Sequence, residues 1–196
     1  MEFGDNIDHP EVNNVKFYSC ANSYGNMSNS GKYQAGNMRF LLNGARMTVP
    51  EWAFVYSENP GAPNSFTVAS PSSLLEAGVF LIATGSIIAF EIPAKGFDAT
   101  PVQISGNAHF DADSRFVIRA ADFLGRQTLV EAANILLREN SGDTHFTQGE
   151  LTITLPDPSY PMFTADLPPN RVAKITLTPQ TLEVRISPTP TLFMVR

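Results

Sequence analysis

FTVASPSSLLEAGVFLIATGSIIAFEIPAKGFDATPVQISGNAHFDADSRFVIR, residues 66–119, decides the reading of the fold. Short apolar runs recur along it at 66–68, 79–82, 87–92, 102–104 and 116–118, and Gly, Pro, Ser, Asn or Asp separates each from the next. Runs of this length between turn-forming residues mark successive short strands. No long segment of helical period lies between them, which argues against βαβ crossovers. The spacing therefore predicts an all-β chain.

The rest of the composition agrees with strands and turns. The 196 residues include 15 Pro and 13 Gly, spread along the chain as many turns and few long helices require. Only 16% of residues are charged, against about 25% in an average soluble domain, so Ser, Thr and Asn must cover much of the surface. The length is enough to bury a sizeable core, read here as one strand-repeat domain over residues 37–196 behind an irregular or capping segment at 1–36. A net charge of −6 and the lack of any Lys/Arg cluster remove the electrostatic footprint of a nucleic-acid binder and disfavour anionic membranes. The single cysteine, Cys20, leaves no internal disulfide framework and no paired Cys/His spacing for structural zinc; it reads as a small buried hydrophobe. The opening MEFGDNIDHPEV has neither the basic nor the apolar region of a signal peptide. No apolar run approaches the roughly 18 residues that span a bilayer, so no membrane insertion is expected.

From Met38 onward the runs MRFLL, ARMTV and EWAFVYS read as strands, followed by a loop at 57–65. The Thr84-Gly85 break between two aliphatic runs suits a tight hairpin as well as a coil corner. Residues 126–140, RQTLVEAANILLREN, are ambiguous. Leu129, Ala132, Ala133, Leu136 and Leu137 fall at helical spacing, yet QTLVEA and ANILLRE also read as two strands about a turn. ELTITLP, RVAKITLTP and TLEVRISP then alternate apolar with polar residues, as strands with one wet face do. Residues 156–170, rich in Pro, read as a long surface loop, and the apolar tail LFMV at 192–195 calls for a cover.

In this order the segments resemble the C-terminal passenger region of the autotransporter-like β-helix repeat proteins of bacteria. The match rests on LLEAGVFLIATGSIIAFEIP, DATPVQISGNAHFDADSRFVIRAADF, GRQTLVEAANI and NRVAKITLTPQTLEVRI, within residues 37–187. The resemblance implies a right-handed parallel β-helix, in which each coil buries its inward aliphatics only by stacking on the next. A β-sandwich or jelly roll of antiparallel strands would carry much of the same punctuation and stays open.

Three groups of residues are candidates for chemistry. Strand alternation would put His109, Asp111, Asp113 and Arg115 on one face, opposite Phe110, Ala112, Ser114 and Phe116. The β-helix polysaccharide lyases, which such a fold resembles, bind acidic sugars through Asp-held calcium and a basic residue, so the resemblance implies a calcium or sugar site here. The plainer reading is a solvated strand face running into a turn, because calcium takes six to eight oxygen ligands. Glu139, Asp143, His145 and Glu150 place carboxylates near a His, as acid–base catalysis needs, but SGD reads first as a turn. Trp52, Phe54 and Tyr56 alternate along EWAFVY and would form a stacking platform for sugar or protein if exposed, and core if buried. No Gly-rich phosphate loop, HExxH or GxSxG occurs, and neither cofactor nor metal is expected.

The sequence therefore favours a non-enzymatic, secreted or cell-surface module of structural, adhesin-like kind, contacting a glycan or protein surface. A carbohydrate-binding or carbohydrate-cleaving β protein is the alternative, with Asp111, Asp113, Arg115 and the Trp52 face as its site. A subunit of a phage or pilus assembly is a third, in which a homo-oligomer or a longer parent chain covers the apolar tail.

Overall fold

The strand signals close into two stacks. The computed structural model describes residues 2–4, 11–12, 17–18, 39–55, 63–82, 85–111, 113–138 and 150–189. In chain order the first strands are β1 (Glu2–Gly4), β2 (Glu11–Val12), β3 (Phe17–Tyr18), β4 (Arg39–Asn43), β5 (Arg46–Val55), β6 (Asn64–Ala69) and β7 (Leu74–Ile82). There follow β8 (Ser86–Glu91), β9 (Val102–Asp111), β10 (Arg115–Arg119), β11 (Gly125–Arg138), β12 (Leu151–Thr154), β13 (Phe163–Asp166), β14 (Arg171–Leu177) and β15 (Thr181–Pro188). No helix occurs among the described residues.

From β4 to β11 the chain alternates between the sheets. Sheet A runs β1-β4-β6-β8-β10-β13, and sheet B runs β12-β14-β15-β11-β9-β7-β5-β2, with β3 also on β5. Every pair in sheet A is parallel. The pairs β2–β5, β3–β5, β5–β7, β7–β9 and β9–β11 of sheet B are parallel too. Each strand from β4 to β9 thus lies beside the strand one coil later, and the fold is a β-solenoid, a parallel β-helix. The break between β7 and β8 is accordingly a coil corner and not a hairpin: the two strands lie in different sheets, and Gly85, at φ 69°, donates its N–H to the Asp113 carbonyl of the next corner at 3.4 Å.

Register stacks like on like inside the coils. In sheet A, Phe40, Phe66, Ile88, Phe116 and Phe163 form one inward column, and Leu42, Val68, Phe90 and Ile118 another. In sheet B, Ala53, Phe80, Ala108 and Ile135 occupy one level, the alanines leaving room for the ring between them. One coil alone exposes its column on two sides; stacking is what removes that apolar area from water.

At the other end of sheet B the pattern changes. β15 pairs antiparallel with β11, β14 with β15 and β12 with β14, so a meander lies on the last parallel strand. The segment 156–170, read from its prolines as a surface loop, contains β13. Phe163 there stacks on the Phe116 column at 5.7 Å, and the Met162 carbonyl accepts the Phe116 N–H. Four residues framed by Pro are too few to display alternation, which hides this strand in the sequence.

The ambiguous segment is strand, not helix, from residue 127 through Arg138; Glu139 lies outside the described residues. β11 runs through Gly125–Arg138, with register shifts between Thr128 and Val130 against β15 and between Ala132 and Asn134 against β9. Leu129, Val130, Ile135 and Leu137 are all buried. A bulge admits an extra residue and slips the phase of alternation, so two slips in one strand counterfeit a longer period.

Coil corners are tied by side chains. Ser73, 3% exposed, accepts the Gly44 N–H at 2.8 Å on its Oγ, which also meets the carbonyls of Leu42 and Ala69. One coil further on, the Gln127 Oε1 accepts the Phe97 N–H at 3.0 Å. Buried peptide groups at corners have no ladder partner, so a side chain supplies one.

Candidate functional site

Among the described residues, clefts occur on the outer faces of both sheets. The one on sheet B follows from a register break repeated at the same level in successive strands. The shifts fall between Val49 and Trp52 against β7, between Ala77 and Phe80 against β9, and between Ala132 and Asn134 against β9. At that level two or more residues intervene between successive inward-facing ones, as Gly78 and Val79 do between Ala77 and Phe80. The result is a cleft of about 540 Å³. Thr48, Glu76, Gln103 and Glu131, in register on β5, β7, β9 and β11, form one wall, and Pro50, Gly78 and Ser105 lie alongside. Backbones approach closely here: a Cβ on Gly106 would stand 2.6 Å from the Gly78 carbonyl oxygen.

The wall is held across coils. Arg46 grips Glu76 with a fork, Nε to Oε2 and Nη2 to Oε1, both at 2.8 Å. Thr48 Oγ1 donates to Glu76 Oε2 at 3.3 Å, and the Gln103 amide donates to the Thr100 carbonyl at 3.1 Å.

The second cleft, about 570 Å³, lies on sheet A. Small side chains, Thr67 and Ala89, sit between Arg39 on one side and the Glu91–Arg119 ion pair (3.2 Å) on the other.

His109, Asp111, Asp113 and Arg115 do not share one strand face. His109 and Asp111 end β9 on either side of the buried Phe110, Asp113 is exposed in the turn, and Arg115 opens β10 on the outer face of sheet A. The chain changes sheets between Asp111 and Arg115, with the Ser114 N–H donated to the Asp111 carbonyl at 2.9 Å. Alternation does not carry through a corner. Trp52 and Phe54 lie in β5, in register with Val79 and Leu81, whereas Tyr56 is outside the described residues. Glu139, Asp143 and His145 are also outside them, as are Cys20 and the 192–195 run; Glu150 is exposed. No group of three or more His, Cys, Asp or Glu suited to a metal occurs among the described residues.

No family model, curated protein or solved structure matches the chain.

The sheet B cleft was missed by sequence reasoning, although a signal exists. Pro50, Gly78 and Gly106 recur at the coil spacing, the same 28 positions that separate Thr48 from Glu76. Pro and Gly are poor residues for a strand interior, and their recurrence within strands marks the shared break.

Proposed function

We propose that the chain is a non-enzymatic structural module of adhesin-like kind, a β-helical segment of the autotransporter-passenger type that works outside a bacterial cell by extension and contact. One observation carries this reading: outward polar side chains pair from coil to coil. Arg46 reaches Glu76, Arg119 reaches Glu91 at 3.2 Å, and Asn134 donates to Asn107 at 3.0 Å. Each pair spans one coil step and adds a polar tie to the backbone ladder of the stack. Exposed ion pairs contribute about 0.2–1 kcal/mol each to stability, so their value to a stalk lies in fixing register rather than in raw strength. The partner in this reading is a glycan or protein surface.

The experiment displays the chain on bacterial cells, measures adhesion to glycan- and protein-coated surfaces, and incubates the purified chain with a polysaccharide panel. Increased adhesion with no release of reducing ends is the expected result. Depolymerisation of any polysaccharide, abolished in Glu131→Gln, would replace this reading with a glycan-cleaving one.

A further inference from the structure

We propose that the sheet B cleft binds an alkylammonium group, either as a free amine or as a lysine side chain of a partner polypeptide. The inference goes beyond the structural reading above and stands without it. It rests on which hydrogen-bonding groups of the cleft are already committed. The Thr48 hydroxyl hydrogen goes to Glu76, one amide hydrogen of Gln103 goes to Thr100, and the Ser105 hydroxyl faces the Ala77 carbonyl at 3.5 Å. These side-chain donors are thus committed apart from the second amide hydrogen of Gln103, and what remains toward the cleft is chiefly acceptor capacity: Gln103 Oε1, Ser105 Oγ and the Glu131 carboxylate.

The charges are apportioned in the same sense. Glu76 is neutralised by Arg46, and Arg126, on the same strand as Glu131, is engaged by Glu183 at 3.0 Å. Glu131 is exposed, and among the described residues it has no ion-pair or hydrogen-bond partner. Its register neighbours are Gln103 on one side and Thr181 on the other, both neutral. An anionic ligand finds repulsion there. A neutral polyol finds few donors for its lone pairs. A primary ammonium brings three donors and a positive charge, matching both deficits.

The remaining lining fits the rest of such a ligand. Pro50, Ala77 and Ala132 offer apolar carbon, and Gly78 adds no side chain, so a run of methylenes can lie against the wall while its head reaches Glu131. Neighbouring strands stand about 4.8 Å apart, so the step from Glu131 to Gln103 lies within the reach of one ammonium group.

The test is ¹H–¹⁵N NMR titration of the full chain with three probes: n-butylamine, a blocked Gly-Lys-Gly peptide, and the same peptide with norleucine for lysine. Saturable shifts at the amides of Gln103, Ser105 and Glu131 are expected with both amines, and none with the norleucine peptide. Glu131→Gln, a surface change that leaves the spectrum folded, should weaken binding by about tenfold or more, as loss of a charge-assisted hydrogen bond implies. Tighter binding of the lysine peptide than of butylamine assigns the group to a polypeptide partner; the reverse order assigns it to a free amine. An equal response to the norleucine peptide, no shift with either amine, or unchanged affinity in Glu131→Gln overturns the proposal.

Discussion

Phe116→Ala should be among the costly single changes in the core, and its cost can be built from its neighbours. The ring is 1% exposed and lies between Phe90, stacked at 5.1 Å and 26°, and Phe163, at 5.7 Å and 58°. Phe110 meets it edge-on from sheet B at 5.9 Å. Truncating a buried Phe costs at least about 3 kcal/mol in lost transfer energy and cavity. Each ring pair adds about 0.5 kcal/mol or more, so the three together bring the loss to roughly 4.5 kcal/mol. Phe163, at the end of the column, shares one of these pairs, and Phe163→Ala should cost about 3.5 kcal/mol. Phe116→Leu keeps most of the volume and should cost about 1.5 kcal/mol. With a urea slope of about 2 kcal/mol/M, the far-UV circular dichroism midpoint should fall by about 2 M in Phe116→Ala and by under ~1 M in Phe116→Leu. The double mutant should recover about 0.5–1 kcal/mol of coupling. Zero coupling, or a loss in Phe163→Ala equal to that in Phe116→Ala, refutes the picture of Phe116 as a ring held by Phe90, Phe110 and Phe163.

Two further changes probe the backbone. Gly106→Ala forces a methyl group to 2.6 Å from the Gly78 carbonyl oxygen, and since backbone cannot rotate away, a loss of about 1–3 kcal/mol should appear in thermal unfolding; a neutral result means the strands part freely at the break. Ser73→Ala strips the Gly44 N–H of its acceptor and should cost about 1–3 kcal/mol in the same assay, while Ser72→Ala, whose hydroxyl lies exposed, should leave the melting temperature nearly unchanged.

How far the sequence could be read depends on where alternation survives. Phe66, Val68, Ile88, Phe90, Phe116 and Ile118 lie in short uninterrupted strands, and their apolar runs announce both strand and core. β11 obscured itself by slipping phase twice, and β13 by brevity. The candidate site was less legible because its parts come from different coils. Thr48, Glu76, Gln103 and Glu131 are unremarkable polar residues within strand-like text, and only parallel stacking brings them into one wall. HFDADSR, by contrast, attracts attention as a dense run of charge, yet a corner divides it between two sheets. Density along the chain and convergence in space are different quantities, and a solenoid separates them more than most folds do.

The reversal of strand direction after β11 also changes what it costs to close each contact. Parallel neighbours meet only after the chain has closed a coil, as between Glu91 and Arg119, 28 positions apart. The β14–β15 hairpin closes across Thr178 and Thr181, 3 positions apart, with the Thr178 N–H donated to the Thr181 carbonyl at 2.9 Å. Loop-closure entropy favours the hairpin by about 2 kcal/mol over any one coil. The antiparallel hairpin therefore covers the sheet B edge of β11, the last parallel strand, at a smaller closure cost than another coil would carry.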